Sequence, residues 1–474
     1  MARDQFFRAE GVHGGVTVSG FALPLLAILI DSPSVPLEDI KGLCRIIRLE
    51  VEGDAWKNAH SACFKRAITS LLFGFLEMEN LSERELSSKE IQAFIKEAEA
   101  SYQQVSPDLA GLGGRLYGWL DGQTERWMSR VMENSPGLAV HIDVSSHQLR
   151  HLPWELLRVK DGFLCDSPDV SFTPVRYVNG RSRLHEQANR PLRILFMACS
   201  PEGVEPVLDY EAEEALILQA CSRHPVELTV EESGSLSGLE EQISSFDSGY
   251  FDVLHLTGHA SVHEDQPIFL MEDDRGFECR ATSGGIARSF AGAWPRLIFL
   301  SGCKTGMAAD RGNLPSLCES LVNAGAPAVL GWALPVDDRD ANLAAAALYD
   351  YLSKGMRVDE AVARTRQALL RANYGSWHLL RLYADTTPLS ELVTRLKEPG
   401  RERLTVRKAD MVFLEAGKVE VCPRELFVGR RRLIQRCLRA LRSYQDDPGY
   451  AEASCCTAWA GWARAAWRCV SASG

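Results

Sequence analysis

The stretches VLHLTGHA at residues 253–260 and LIFLSGCKTG at residues 297–306 decide the fold class of this chain. Each begins with consecutive apolar residues, which indicate a buried strand, and each then carries a glycine followed by His259 or Cys303. Functional groups of a parallel sheet collect at the carboxyl ends of its strands, where loops hold side chains without interrupting the hydrogen bonds between strands. The two stretches therefore predict adjacent strands that bring His259 and Cys303 to one edge of a sheet.

The sequence around them alternates short apolar runs with segments whose apolar residues recur at helical spacing. The predicted strands are residues 138–144, Leu192–Ala198, Val226–Glu231, 251–256, 297–300 and 328–334. The predicted helices are residues 62–77, 87–104, 116–132, Tyr210–Cys221, 236–246, 314–324, 340–354 and Val358–Arg371. Strands that alternate with helices of this length predict an α/β fold, a parallel sheet with helices on both faces, here preceded by a helical N-terminal extension.

Composition and charge exclude several classes of protein. The 474 residues are 46% hydrophobic and 24% charged, as in globular proteins, and are long enough for two or three domains. A formal net charge of −11 argues against a dedicated nucleic-acid binder. The longest apolar run, FALPLLAILI at residues 21–30, contains a proline and falls short of the ~20 residues that a membrane-spanning helix needs. We therefore expect a buried strand there and no membrane partner.

The N-terminus and the cysteines predict a cytoplasmic protein. Residues 1–10, MARDQFFRAE, carry charges where a signal peptide has its apolar core. The 13 cysteines include no Cys-x-x-Cys pair and no His/Cys spacing typical of a metal site. We therefore expect reduced thiols and no bound metal.

His259 and Cys303 are the residue types that cysteine-based catalysis uses. A thiol becomes an effective nucleophile when a neighbouring imidazole removes its proton or stabilises the thiolate. Gly258 and Gly302 let the backbone approach a substrate closely and can direct N–H groups at a developing oxyanion. A lone cysteine at a strand end is more often a buried apolar residue, so the prediction depends on its pairing with a histidine. Such chemistry needs no metal or organic cofactor.

The order of the two motifs resembles that of the caspase-like cysteine peptidases, because HLTGHA precedes LSGCKTG and the histidine lies 44 residues before the cysteine (303 − 259 = 44). More specifically, residues 105–390 resemble a CHAT domain, a bacterial branch related to caspases and separase. Four further stretches carry this resemblance: LPWELL at 152–157, LVNAGAPAVLGWALPVDD at 321–338, ALYDYLSKGMRVDEAV at 347–362 and WHLLRLYAD at 377–385.

The resemblance implies that His259 is a general base and that Cys303 is a nucleophile that forms an acyl-enzyme. Backbone N–H groups around Gly302 and Cys303 would form the oxyanion hole, with Gly258 as a second backbone position for it. The family usually has a glycine after the histidine, whereas this chain has Ala260, whose methyl group would stand close to the scissile carbonyl.

Peptidases of this clan select the residue before the scissile bond with a charged pocket beside the nucleophile. Asp337 and Asp338 follow the predicted strand 328–334 and would suit a basic side chain, because a carboxylate pairs with the arginine guanidinium through two hydrogen bonds. Trp332 is either a core aromatic residue or a wall of that pocket. His255, four residues before His259, is expected to form internal contacts, and Cys199 is expected to be structural.

The chain divides into five predicted segments: an extension (1–104), the CHAT domain (105–390), a linker (391–424), the start of an NTPase domain (425–453) and a tail (454–474). Residues 425–441, ELFVGRRRLIQRCLRAL, are similar to the FVGRExEL start of AAA-like and STAND ATPases. A Gly-x-x-x-x-Gly-Lys-Ser/Thr loop should follow, and it is absent, so we expect no ATP binding. The arginines at 430–432 suit a solvated helix face better than a nucleic-acid patch.

The tail suggests a frameshift. One permitted back-translation of SCCTAWAGWARAAW, residues 454–467, read from the third base of its serine codon, gives LLHGMGGLGKSSL, which contains a phosphate-binding loop. Each Trp-Ala pair forces a glycine codon in that frame, whereas the lysine depends on the chosen codons. The hypothesis is a frameshifted product of a parent that continued into an NTPase domain, and the gene sequence tests it.

The leading functional prediction is a cysteine endopeptidase that cleaves a protein substrate, with a possible regulatory protein partner. A role in bacterial signalling or defence is implied by the resemblance alone. The alternative from another class is a catalytically inactive interaction module, which Ala260 and the missing NTPase motif favour. A flavodoxin-like ligand binder would need a phosphate-binding loop after an early strand, and the sequence has none.

Overall fold

The structure is a computed structural model that describes residues 15–19, 88–102, 108–122, 126, 129, 139–143, 150–160, 162–167, 172–181, 187, 189–205, 210–221, 226–264, 266–273, 276–302, 316–386, 389–394, 412–413 and 420–421. Cys303 lies outside these residues, as do the predicted strand at 21–30, the predicted helix at 62–77 and the segments 425–453 and 454–474.

Strands and helices follow one another along the described chain. The strands are β1 (Gly15–Ser19), β2 (Ala139–Asp143), β3 (Arg158–Val159), β4 (Gly162–Phe163), β5 (Thr173–Arg181), β6 (Leu192–Ala198), β7 (Val226–Glu231), β8 (Val253–His263), β9 (Gln266–Glu272), β10 (Glu278–Thr282), β11 (Leu297–Gly302), β12 (Ala328–Trp332), β13 (Leu380–Thr386), β14 (Val412–Phe413) and β15 (Glu420–Val421). The helices are α1 (Ser88–Tyr102), α2 (Leu109–Asp121), α3 (Tyr210–Cys221), α4 (Leu236–Ser244), α5 (Ser283–Ser289), α6 (Leu317–Asn323), α7 (Asp338–Ser353) and α8 (Val358–Arg371).

One sheet organises the described part of the molecule, with the strand order β1-β2-β5-β13-β12-β11-β8-β6-β7. The strands β12, β11, β8, β6 and β7 are parallel neighbours. Antiparallel pairing occurs where β13 meets β12, where β1 meets β2, and where β8 runs on into a meander with β9 and β10. The predicted parallel sheet is therefore the centre of a mixed one.

The sheet is buried on both faces, as the apolar runs predict. Alternate residues of β6 and β11 enter two separate apolar layers, because successive side chains of a strand point to opposite faces. Phe196 and Phe299 pack in the layer that includes residues of α3, α7 and α8. Met197 and Leu300 pack in the layer that includes residues of α4, α5 and α6. The α/β class predicted from the sequence is confirmed.

Most predicted elements agree with the observed ones, but the bounds of α2 and β8 differ from the predicted bounds. The helix expected at 116–132 is α2, which begins after Asp108, whose carboxylate accepts a hydrogen bond from the Gly111 N–H at 2.8 Å. It ends at Gly122, which has φ of 80° and closes the helix with an N–H bond to the Gly118 carbonyl. The strand expected at 251–256 extends to His263, because its second half pairs with β9.

Candidate active site

Two parallel strand ends form the centre of the candidate site. In the register between β8 and β11, Ser301 lies opposite Thr257 and Gly302 lies opposite Gly258. His259 is the next residue of β8, where it is half-buried and pairs with Leu270 of β9. The structure therefore places His259 at the point where β8 leaves its parallel neighbour. It describes the chain before Cys303 as far as Gly302.

Gly258 has a packing reason to be glycine. A Cβ atom at this position would lie 2.8 Å from Cε1 and 2.9 Å from Cζ of Phe269, a buried ring of β9, and 3.2 Å from Cβ of Cys199. Cys199 is fully buried, in agreement with its predicted structural role, and its N–H bonds to the Thr257 carbonyl at 2.8 Å. The close approach of Phe269 requires glycine at position 258 whether or not the backbone also binds substrate.

A pocket opens beside the two strand ends. It is small, about 20 Å³, which is room for about one water molecule, and Gly258, Gly302 and Ser301 contribute to its lining. Trp332 and Asp338 also line it. Trp332 is fully buried, as a core aromatic residue is, and its edge contributes to the lining of this pocket, while a role in selecting substrate stays a prediction.

Asp337 and Asp338 differ in their relation to this pocket, although both are exposed. Asp337 precedes α7, its side chain makes no capping hydrogen bond, and it is not among the described residues that line the pocket. Asp338 is the first residue of α7 and lines the pocket. The structure thus brings Asp338 and Trp332 together and leaves Asp337 outside.

Glu213 of α3 also lines the pocket and is not among the residues predicted from the sequence. The Ser301 hydroxyl donates a 2.8 Å hydrogen bond to its Oε1, and the Nε2 atom of His255 lies 3.1 Å from the same oxygen. Burial raises the pKa of Glu213, but the charge and hydrogen bond of His255, with hydrogen bonds from Ser301 and Thr257, outweigh it and hold that pKa below its ordinary value. Glu213 is therefore a buried, ionised carboxylate.

A signal for Glu213 exists in the sequence. Tyr210, Glu213 and Ile217 are all buried, and their spacing of three and four residues marks the face of α3 that packs against the protein. A carboxylate in such an apolar stripe is costly to bury unless it has partners or a function.

His255 forms the internal contacts that were predicted. Its Nδ1 atom lies 2.9 Å from the Tyr349 hydroxyl of α7, and its ring centroid lies 5.0 Å from those of Phe196 and Phe299. Together with Glu213 it links α3, two sheet strands and α7 beneath the pocket. This arrangement fixes the carboxyl ends of β8 and β11 relative to the helices around them.

Two features are absent from the described part of the chain. Its residues contain no group of three or more His, Cys, Asp or Glu side chains that could hold a metal ion. None of the helices described is long and apolar enough to cross a membrane.

The chain is an α/β protein with a mixed sheet that is covered by helices on both faces. Its pocket lies at the carboxyl ends of the parallel strands, next to the glycine that precedes His259. The CHAT domain family model matches residues 111–449, more than half of the chain. The chain belongs to the CHAT domain family. No curated protein matches the sequence.

Three of the solved structures that match this chain do so with TM-scores below 0.5. The Saccharomyces cerevisiae separase–securin complex is 17% identical with a TM-score of 0.32, over 51% of this chain and 16% of that one. The chain thus spans about a sixth of the length of the separase chain. Porphyromonas gingivalis RgpB is 9% identical (TM-score 0.34, 69% and 78% covered), and caspase-1 from Spodoptera frugiperda is 10% identical (TM-score 0.30, 46% and 99% covered).

Proposed function

We propose that this CHAT chain is a cysteine endopeptidase in which His259 is the general base and Cys303 is the nucleophile. Membership of a family with a caspase-like fold supports a protease-type function. The observation that carries the assignment is the pairing of Gly258 with Gly302 at the carboxyl ends of parallel strands. His259 and Cys303 are the residues that follow these two partners in the sequence.

The proposed reaction proceeds through an acyl-enzyme. His259 takes the proton of the Cys303 thiol as the sulfur bonds to the scissile carbonyl carbon, and the carbonyl oxygen becomes an oxyanion. The carbon–nitrogen bond then breaks, and the protonated His259 gives its proton to the departing amine. His259 next takes a proton from water, whose oxygen attacks the thioester, and the thiol is regenerated when the acyl product leaves.

Backbone N–H groups around Gly302 and Cys303 are the proposed donors to the oxyanion, with Gly258 on the opposite strand. Fixed N–H donors stabilise a negative charge that develops in the transition state without having to reorganise. The absence of side chains at Gly258 and Gly302 supports this assignment because it lets a substrate carbonyl approach the backbone.

The position of Ala260 supports an active enzyme over an inactive one. Side chains alternate along a strand, so His255, Thr257 and His259 share one face of β8 and Ala260 belongs to the other. Ala260 packs against the apolar layer that contains Phe269. It does not line the pocket, so its methyl group does not narrow the space beside the strand ends.

A thiol-directed peptide probe tests the dyad. We expect the probe to label the full chain, to fail on Cys303→Ala and to react at least tenfold more slowly with His259→Ala, because the thiol then lacks its base. Cys279→Ala is the matched control, since Cys279 is a partly exposed thiol on β10 whose pKa is raised by burial and by the charge of Asp273. Labelling of this variant should equal that of the unmodified chain.

The second candidate is a non-catalytic interaction module, the alternative that the sequence suggested because Ala260 replaces the family's glycine. The packing of Ala260 against the apolar layer weakens that argument for the module. Labelling that is indifferent to both Cys303→Ala and His259→Ala would support the module and reject the peptidase. Four further parts of the proposal are supported by the sequence alone: a protein substrate, a regulatory protein partner, a cytoplasmic location, and a bacterial signalling or defence pathway.

A further inference from the structure

The buried carboxylate of Glu213 in α3 has partners on both of the strands that carry the dyad motifs. Its side chain is 2% exposed. The Ser301 hydroxyl of β11 donates to its Oε1 atom at 2.8 Å, and the His255 Nε2 atom of β8 lies 3.1 Å from the same oxygen. The Thr257 hydroxyl of β8 is a third hydrogen-bond partner. One side chain of a helix thus contacts β8 and β11 near their carboxyl ends.

These contacts lie close to the dyad in the sequence. Thr257 comes two residues before His259, and Ser301 comes two residues before Cys303. Thr257 and Ser301 are partners in the register of the two strands, and the Thr257 hydroxyl lies 3.2 Å from the Ser301 carbonyl. Because side chains alternate along a strand, Thr257 and His259 share one face of β8. Glu213 therefore binds the side chain of that face that immediately precedes His259.

Stability alone is a weak reason for a carboxylate at this depth. Removing a charge from water is costly, and a buried ion pair often stabilises a protein no more than well-packed apolar residues would. A charged acceptor does supply hydrogen bonds that are shorter and stronger than those between neutral groups, so it fixes the geometry of its donors. His255 also lies 2.9 Å from the Tyr349 hydroxyl, so the network is anchored at α7 as well as at α3.

The pocket that Glu213 lines is too small for a substrate side chain, since it has room for about one water molecule. Glu213 is moreover already bound by three side chains of the protein. The carboxylate is therefore not placed to contact a substrate. Its influence on the reaction would act through the two strands that it joins.

We propose that Glu213 is a positioning residue of the peptidase. By binding Ser301 on β11 together with Thr257 and His255 on β8, its carboxylate holds the two strand ends at the spacing that brings the imidazole of the dyad to its thiol. The inference rests on the proposed function and deepens it, because it adds a residue that lies outside both sequence motifs.

The pH dependence of alkylation at Cys303 tests this role. The full-length chain is treated with iodoacetamide, and mass spectrometry of the peptide that contains Cys303 follows the rate. A thiolate that is paired with an imidazole forms well below the pKa of about 8.5 of a free cysteine. Glu213→Gln should raise the midpoint of the rate profile by about one pH unit or more and slow alkylation at pH 7 about tenfold, because the pairing is impaired.

The sign of the shift separates positioning from a direct effect of charge. Removal of a negative charge near a thiolate favours the thiolate and would lower the midpoint, whereas loss of the pairing raises it. The contacts that lower the pKa of Glu213 also keep the carboxylate from titrating in the neutral range, so the midpoint reports the dyad. Circular dichroism and denaturant titration show whether the variant is folded.

Two neighbouring variants provide a matched control and a milder test. Glu214 is the next residue of α3 and is also 2% exposed, but it does not line the pocket, so Glu214→Gln should leave the midpoint unchanged. Ser301→Ala removes one hydroxyl and should raise the midpoint less than Glu213→Gln does. It keeps the test valid if Glu213→Gln fails to fold. The double variant should shift the midpoint little beyond Glu213→Gln alone, because the two residues share one hydrogen bond.

The outcomes distinguish this inference from the dyad itself. Unchanged midpoints in Glu213→Gln and Ser301→Ala, with a raised midpoint in His259→Ala, would overturn the positioning role and keep the peptidase. An equal shift in Glu214→Gln would also overturn it, because the effect would then be a general disturbance of α3. A midpoint that does not depend on His259 would reject the dyad and, with it, the role of Glu213.

Discussion

At Gly258 the backbone of β8 passes so close to the Phe269 ring that the strand has no room for a side chain. The sequence suggests glycine there for substrate access, and the structure adds a packing constraint that is independent of catalysis. Phe269 is fully buried in the layer beside α4, α5 and α6, so its ring cannot move into solvent. One residue therefore serves both the core and the proposed site.

Gly258→Ala should destabilise the protein. We expect the free energy of unfolding to fall by about 1–3 kcal/mol, because the new methyl group overpacks the contact with Phe269. Denaturant titration of Gly258→Ala, Phe269→Leu and the double variant measures the coupling. The double variant should lose less stability than the sum of the two single variants, since leucine removes the ring atoms that clash. Additive losses would contradict the clash.

At the scale of elements, α2 shows what local sequence signals predict and what they do not. Its spacing of apolar residues predicts a helix in this region, but the observed bounds are Leu109–Asp121 rather than 116–132. The Asp108 cap and the positive φ of Gly122 set the two ends. Its inner face meets the turn formed by LPWELL, because Gly113 lies against the backbone of Leu156.

Two neighbouring glycines of α2 should respond in opposite ways to alanine. A Cβ at Gly113 would lie 1.9 Å from the Leu156 carbonyl oxygen, so Gly113→Ala must displace backbone and should cost about 2 kcal/mol or more. Gly114 is exposed and a Cβ there meets nothing within 4 Å, so Gly114→Ala should stabilise the helix by about 0.5–1 kcal/mol. Thermal unfolding of both variants checks the signs, and a shared sign would mean that α2 does not pack as described.

At the scale of the whole molecule, a buried charged network joins the motifs at the two ends of the described domain. The Arg176 guanidinium donates hydrogen bonds of 2.6 and 2.8 Å to the two carboxylate oxygens of Glu155 in LPWELL. Arg366 of α8 lies 3.3 Å from the same carboxylate and bonds to the Leu380 carbonyl at 2.7 Å. Burial raises the pKa of Glu155, but the charges of Arg176 and Arg366 outweigh it and lower that pKa. The buried ion pairs of Glu155 thus connect residues that are more than 200 positions apart in the sequence.

Stability should decrease as the pH falls below about 6.5. Burial lowers the pKa of His151 and His378 from 6.5 to about 4, in spite of the neighbouring Glu319 and Glu155 respectively. The folded state therefore binds fewer protons than the unfolded state between pH 6.5 and pH 4. The free energy of unfolding consequently falls as the pH is lowered through this range. The expected loss between pH 7 and pH 5 is about 1–2 kcal/mol per histidine.

Urea unfolding at pH 7 and pH 5 measures this dependence. A His378→Gln variant should lose less stability between the two pH values than the unmodified chain, because one buried group no longer titrates. Ser261→Ala is the control, since Ser261 is exposed on β8 and has no titratable group, so this variant should leave the pH dependence unchanged. An identical pH dependence in all three proteins would show that His378 does not contribute.

The amino-acid sequence by itself determined the α/β class and the residues that begin and end several elements, among them Leu192–Ala198, Tyr210–Cys221 and Val358–Arg371. It did so because apolar runs and helical spacing are local patterns that each segment carries independently of the rest of the chain. The motifs around His259 and Cys303 were readable for the same reason, as was the internal role of His255.

Only the tertiary structure decided which side chains share a pocket. Glu213 and Ser301 are 88 residues apart in sequence and meet because α3 packs beside β11, which no local pattern contains. The extension of β8 to His263 depends on its pairing with β9, and the difference between Asp337 and Asp338 depends on where α7 begins. The residues at the strand ends could thus be predicted from the sequence. The pocket between these strand ends and the helices could not, because it forms only when distant segments pack together.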